Sequence, residues 1–378
     1  MQYCKKMAFI KLSALPVFNG HDEAVFAKNN AVTGDRSGDA QHALRRERVI
    51  LLYETRKKRW LSFLFSCLLV LSLISPTWAA EGERTLIPLG KAVGIKLFSD
   101  GALVVSLEGS DTLKVGDLLL KVNDTRVQST EQLQSLLQQN GSMPVSLQVR
   151  RGERLITFTD TPQCGSDGVY RLGVWIRDSM AGIGTLTYYD PQTASYGALG
   201  HGITDVDTAQ LMTLCSGSIM ETTVKAVKKG QRGDPGELRG DFTVQRDVGT
   251  LTANTNGGIF GKVADAGFID ATQALPVAQA REVKCGPATI LSTVSGHETR
   301  EYQVEILRLY GSGHDTRNLL LKVTDPQLLE ATGGIVQGMS GSPILQNGKF
   351  VGAVTHVLID DPSRGYGIFM ENMLTMAG

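Results

Sequence analysis

From Ser166 to the C-terminus the sequence is a procession of short β-like runs: VYRLGVWIRD, GIGTLTYYD, TVKAVKKG, DFTVQRDVGTLTA, GIFGKVA, EYQVEILRLY and NLLLKVTD. Turn residues punctuate them, no long amphipathic helix interrupts, and no internal repeat of fixed period is present. That pattern favours a barrel or a sandwich. The roughly 210 residues of this stretch suit two small packed barrels better than one. Composition agrees: 42 glycines and few aromatics accompany recurring short Val, Thr and Ile runs, as expected of a mainly β chain with many turns.

Upstream, residues 86–162 read as a smaller module. PLGKAVGIKLFSDGALVVSLEG supplies alternating strands, Val115-Gly116-Asp117 turns into Leu118–Val122, and Asn123-Asp124 makes a tight hairpin. STEQLQSLLQQN predicts a helix capped by Ser129 or Thr130, with Leu133, Leu136 and Leu137 on one face. A hairpin around Arg151-Gly152 closes the module. This succession resembles the PDZ domains attached to exported bacterial proteases. The resemblance implies that Gly94-Ile95-Lys96-Leu97 is a loop whose N–H groups cradle a peptide carboxylate, with the peptide added as a strand.

Further upstream, Arg56-Lys57-Lys58-Arg59 precedes WLSFLFSCLLVLSLI, and small residues follow at Ala79 and Ala80. These are the parts of an export signal. Counted to Trp78 the stretch has about 19 residues, enough for one membrane span at about 1.5 Å per residue. Residues 60–80 are therefore expected to form a signal-anchor or transmembrane segment, with everything after Ala80 outside the membrane's basic side. Residues 1–59 are polar and long for a leader: a cytoplasmic tail, or sequence ahead of a translation start nearer Val49 to Leu52.

Charge gives no direction toward nucleic acid, since 38 basic residues balance 38 acidic ones. The five cysteines show no paired metal-ligand spacing, so no metal or other cofactor is expected.

Chemistry concentrates in the run Gly338-Met339-Ser340-Gly341-Ser342-Pro343, which lies between two strand-like stretches. Glycines on both sides of a serine let backbone N–H groups turn toward one point. Donors at Gly338 and Ser340 are then placed to stabilise an oxyanion when Ser340 attacks a peptide carbonyl. Gly-x-Ser-Gly-x-Pro is the pattern that chymotrypsin-like serine peptidases carry at their nucleophile. A base is needed, and His201, in a Gly-His-Gly turn well upstream of Ser340, fits the order of that class. His356 is expected to line the substrate cleft or satisfy a carbonyl, while His297 and His314 read as solvated turn residues. For the acid, Asp325 in Val-Thr-Asp-Pro competes with Asp205 and Asp207, which follow His201 closely. Cys215 in MTLCSGSIM is a rival nucleophile that lacks the preceding glycine and the trailing proline.

Together, LGHGITDVDT, KVTDPQLLEATGGIVQGMSGSPI and GKFVGAVTHVLIDDPSRGYGIF, behind a PDZ-like module and one apolar segment, resemble the stage IV sporulation protein B family of PDZ-bearing serine peptidases. The similarity runs from Trp60 to Gly378. It implies a PDZ domain followed by a double β-barrel peptidase domain over 166–378, with His201 as base, Asp325 as acid and Ser340 as nucleophile. It also implies a serine endopeptidase exported from the forespore into the space between the two sporulation membranes. There it would cut itself and a membrane-bound regulator of an intramembrane metalloprotease, triggering a late mother-cell sigma factor. A PDZ-mediated scaffold with a silent peptidase domain is the alternative. P1 preference, the self-cleavage site and the oligomeric state stay open.

Overall fold

Alternating apolar positions in the long strands bury one face of each, and the strands close on one another to protect that face. A computed structural model describes Trp60 and residues 84–269, 273–311 and 316–377. The segment expected to cross a membrane (60–80) and the polar residues before it lie outside these, apart from Trp60. Among the described residues, no helix is long and apolar enough to cross a membrane. The described residues from 84 to 377 form one compact unit.

The strands in chain order are β1 (Thr85–Leu107), β2 (Leu118–Val122), β3 (Thr125–Arg126), β4 (Val145–Arg151), β5 (Arg154–Asp160), β6 (Gln163–Cys164), β7 (Tyr170–Arg171), β8 (Val174–Asp190), β9 (Ser195–Ala198) and β10 (Ser216–Lys228). They continue as β11 (Glu237–Thr255), β12 (Gly258–Val263), β13 (Leu275–Pro276), β14 (Gly286–Ser292), β15 (Arg300–Leu309), β16 (Leu319–Val323), β17 (Pro343–Gln346), β18 (Lys349–Leu358) and β19 (Asp361–Phe369). Helices are α1 (Thr130–Asn140), α2 (Pro326–Thr332) and α3 (Met370–Thr375).

Two closed antiparallel barrels emerge. In the first, the order β10-β11-β12-β9-β8-β1 is closed by pairing of β1 with β10. In the second, β14-β15-β16-β19-β18-β17 closes on itself. Val93, Leu97, Leu186, Tyr196 and Ile219 fill the first; Ile290, Val304, Leu321, Ile344 and Val354 fill the second. Leu86, Tyr188 and Phe260 of the first meet Phe350, Ile368 and Met370 of the second in a shared apolar seam. The double-barrel, mainly β architecture read from the strand pattern is therefore present.

The PDZ-type module grows out of the first barrel. Beyond Gly101, β1 pairs with β2 through Ala102 and Leu103, and the sheet continues through β4 and β5. Helix α1 starts at Ser129, whose hydroxyl accepts from the Gln132 N–H, and it buries Leu133 and Leu137 as its spacing predicts. The Asn123 hairpin turn has φ of +52°, a conformation asparagine tolerates well.

Two expectations need correction here. The front of β1, residues 86–98, belongs to the first barrel and not to the PDZ-type module. Consequently Gly94-Ile95-Lys96-Leu97 is no carboxylate-binding loop. Gly94 pairs with Ile183 on one side and Met220 on the other, and Leu97 pairs with Met180 and Gly217. Ile95 and Leu97 are buried. A strand with neighbours on both edges has no ladder positions left for a peptide. The alternation that marks a PDZ strand also marks a barrel strand, so the sequence pattern could not separate them. The Lys96 ammonium lies over the Phe98 ring, 4.6 Å from its centroid.

Candidate active site

Ser340 sits on the loop between α2 and β17, and His201 on the turn after β9. Both line one cleft of about 550 Å³ between the barrels, with Gly338, Thr355 and His356. The structure thus brings the predicted nucleophile and base together.

Each is held by the backbone around it. β9 ends at Ala198, and Leu199 after it has φ of +70°, with the Gly200 N–H donating to the Ala198 carbonyl. This is a tight turn of the strained γ type, a conformation rarely adopted by a leucine. It throws His201 out of the strand line. Gly202 follows for lack of room: a β-carbon there would lie 2.5 Å from the Thr255 carbonyl oxygen. Asn254 then fixes the outgoing chain, accepting from the Ile203 N–H and donating to the Ile203 and Met212 carbonyls.

His201 Nδ1 lies 2.9 Å from the Gly202 carbonyl oxygen. A carbonyl only accepts, so Nδ1 carries the proton and Nε2 keeps its lone pair for base work. Burial lowers the imidazole pKa from its ordinary 6.5, with the Gly202 bond opposing. His201 is therefore neutral, and competent as a base, at pH 7. The acid limb of kcat/KM is expected to have its midpoint below 6.5, with activity rising as pH passes through it and level by pH 7. A pH–rate profile with a midpoint clearly above 6.5 would mean that a carboxylate faces the imidazole.

The Ser340 hydroxyl donates to the Thr355 carbonyl at 2.8 Å. It has to leave that carbonyl before His201 can take its proton, a tightening expected only once substrate is bound. Around it the loop's N–H groups divide. Met339 donates to Val336 and Gly341 to Val354, whereas the Gly338 and Ser340 N–H groups donate to nothing among the described residues. Those are the two groups expected to meet an oxyanion.

A residue that sequence reasoning missed holds this arrangement. Thr185, in the middle of β8 and fully buried, donates through Oγ1 to the Gly338 carbonyl at 2.7 Å and through its N–H to the Ser340 carbonyl at 3.1 Å. Its own carbonyl accepts from the Leu199 N–H at 3.2 Å. One threonine thereby ties the nucleophile loop to the histidine turn. Pinning the Gly338 and Ser340 carbonyls keeps their peptide planes from flipping. Nothing in GIGTLTYYD marks it, because threonine is an ordinary strand residue.

Asp325 is not brought to His201. It is the N-cap of α2, where its carboxylate accepts from the Gln327, Leu328 and Gln303 N–H groups. The Asp-Pro pair that made it conspicuous is a helix start, with proline in the first turn. α2, which Asp325 caps, leads on into the Ser340 loop. Asp205 and Asp207 do not reach the imidazole either. Asp205 is fully buried, accepts from Thr208 and the Asp207 N–H, and pairs with Arg177; Asp207 pairs with the same guanidinium at 2.9 Å. Burial alone would raise the Asp205 pKa, but the Thr208 and Arg177 bonds outweigh it and hold the carboxyl below its usual range. The other ring at the base is His356, its centroid 5.1 Å from that of His201.

Asparagine caps a helix as well as aspartate but cannot act as a catalytic acid. Asp325→Asn is therefore expected to keep both melting temperature and turnover near those of the parent, while Asp325→Ala loses about 1 kcal/mol of stability. A drop in turnover of about 10⁴-fold in the asparagine variant, as when a triad acid is lost, would place Asp325 at the imidazole during catalysis.

Cys164, Cys215 and Cys285 are free, exposed thiols, and Cys215 is absent from the cleft wall. His297 accepts or donates a bond with the Thr223 hydroxyl at 2.8 Å, and His314 lies outside the described residues.

The family model for SpoIVB peptidase S55 matches residues 168–374, which take in β8, the histidine turn and the Ser340 loop. The chain belongs to the SpoIVB peptidase S55 family. It is a serine endopeptidase, and a PDZ-domain model matches residues 112–151 within the smaller module. Among solved structures, the inactive form of the Rv3671c protease of Mycobacterium tuberculosis is similar at 16% identity, covering 52% of this chain and 82% of its own, with a TM-score of 0.30. The active form of that protease gives 16% identity, coverage of 53% and 73%, and a TM-score of 0.29. The PDZ domain of an SdrC-like protein of Listeria monocytogenes gives 17% identity, coverage of 20% and 87%, and a TM-score of 0.19. No curated protein matches the chain.

Proposed function

We propose that this S55 peptidase is an exported signalling enzyme of endospore formation. It cuts its own chain near the N-terminus, and then a membrane-bound regulator that restrains an intramembrane metalloprotease, whose release activates a late mother-cell sigma factor. It works in the space between the two sporulation membranes, reached through the basic-then-apolar segment at 56–80. The observation that carries the endopeptidase part is the convergence of Ser340, His201 and two uncommitted N–H groups on one cleft. Membership of the S55 family supports the signalling part.

In the reaction, Ser340 Oγ attacks the scissile carbonyl as His201 Nε2 takes its proton. The oxyanion forms against the Gly338 and Ser340 N–H groups. His201 then protonates the leaving amine, and water releases the acyl-enzyme by the reverse route.

A scaffold reading has one observation in its favour: the Ser340 hydroxyl is committed to Thr355 and not to His201. Intact mass of the full chain and of its Ser340→Ala variant, each incubated alone, separates the two. The parent is expected to shorten and the variant to stay whole; shortening of both, or of neither even after the regulator is added, overturns the proposal. A signalling enzyme is further expected to leave unfolded casein largely uncut.

A further inference from the structure

The cleft wall has a chemical character that the reaction itself does not require. Ile95 of β1, Ile183 of β8, Leu199 of the histidine turn, Val336 of the nucleophile loop and Val357 of β18 face into it, and Met180 extends it. No Asp, Glu, Lys or Arg is among its lining residues; His201 and His356 are the titratable groups there. Charged residues adjoin the lining in sequence, Lys96, Asp205, Asp207, Asp234 and Asp360, but none of them is part of the wall, and Asp205 and Asp207 are both paired with Arg177. Apolar surface also continues outward. Val206 and Ile359 line the mouth with 78% and 58% of their surface exposed, far more than a packed strand residue leaves to water. Contiguous exposed apolar surface beside a reactive group marks a binding face.

We propose that the segment this peptidase cuts is apolar around the scissile bond, and that the side chain seated beside Ser340 is an uncharged aliphatic one. This rests on Ser340 being the nucleophile. A lysine or glutamate entering here would shed its water with no opposite charge to receive it, whereas a leucine would gain by burial. The contrast with a pocket holding a carboxylate for basic side chains is one of wall chemistry, not of size. An apolar wall discriminates weakly among aliphatic side chains, since one methylene changes rates only about 10–200-fold. The selectivity therefore lies between classes.

The test uses the full chain and four probes: a generic fluorophosphonate, and three diphenyl aminophosphonates on one scaffold bearing a leucine, lysine or glutamate side chain. In each of the three, Ser340 Oγ bonds to phosphorus, its proton passes to His201, and phenoxide leaves. Inactivation rates and the modified residue are read by kinetics and peptide mass. The leucine probe is expected to modify Ser340 at least about 100-fold faster than the other two. If the fluorophosphonate labels Ser340 but the lysine or glutamate probe matches the leucine probe, the substrate class is wrong and the peptidase reading stands. If the fluorophosphonate leaves Ser340 unlabelled, both fall.

Discussion

Replacing His201 by alanine is expected to lower turnover by roughly 10⁴–10⁶-fold, about as much as replacing Ser340. The other imidazole among the cleft residues is that of His356, its centroid 5.1 Å from that of His201. The side chain contributes little to folding: it is half-buried at the cleft surface, and its Nδ1 hydrogen bond goes to the adjacent Gly202 carbonyl. The variant should therefore melt near the parent while losing its chemistry. Losses from the two single variants are expected not to add, because each disables the same proton transfer. If His201→Ala retained a tenth of the parent's turnover, His356 would be the base, and the double variant His201→Ala/His356→Ala would show it.

Gly341→Ala is expected to damage fold and activity together. Gly341 has φ of +98°, and a β-carbon there would lie 2.2 Å from the Thr185 carbonyl oxygen and 2.6 Å from the Leu199 nitrogen. The left-handed backbone alone costs about 1–2 kcal/mol for an alanine. The clash with two backbone atoms adds to it, because neither can rotate away. A loss of about 3 kcal/mol or more is expected, seen as a melting temperature lower by about 5–10 °C. Turnover should fall as well, since moving Thr185 releases the Gly338 and Ser340 carbonyls. Gly348→Ala is the control: its φ is +74°, but the added carbon meets nothing within 4 Å. Equal losses at both glycines would show that the packing of Thr185 against the nucleophile loop contributes nothing.

Ser340 and His201, which the structure brings to one cleft, were legible in the sequence. Each stands in a motif whose glycines announce a special backbone: Gly200 and Gly202 around His201, Gly338 and Gly341 around Ser340. The helix at 130–140 and the Asn123-Asp124 hairpin were equally readable, the latter because asparagine tolerates the positive φ, +52°, that it holds there. The misplaced element was β1. Its apolar alternation is equally good for a PDZ edge and for a barrel strand, and only its partners, β8 and β10, decide between them.

By itself, then, the sequence determined local events: where strands start and turn, where α1 is capped, and which serine and histidine sit on unusual backbone. Propensity, alternation and glycine stereochemistry all act within a few residues, so they are visible in one line of text. What the tertiary structure alone decided is which distant residues meet. Thr185 reaches Ser340 across 155 positions of chain through the closure of two barrels against each other. Asp325, fifteen residues before Ser340, is turned away because a helix N-terminus offers its carboxylate two N–H donors, while the imidazole's one N–H is already donated to the Gly202 carbonyl. The apolar wall of the cleft likewise comes from β1, β8, β18 and two loops. Its character exists only once those strands have paired.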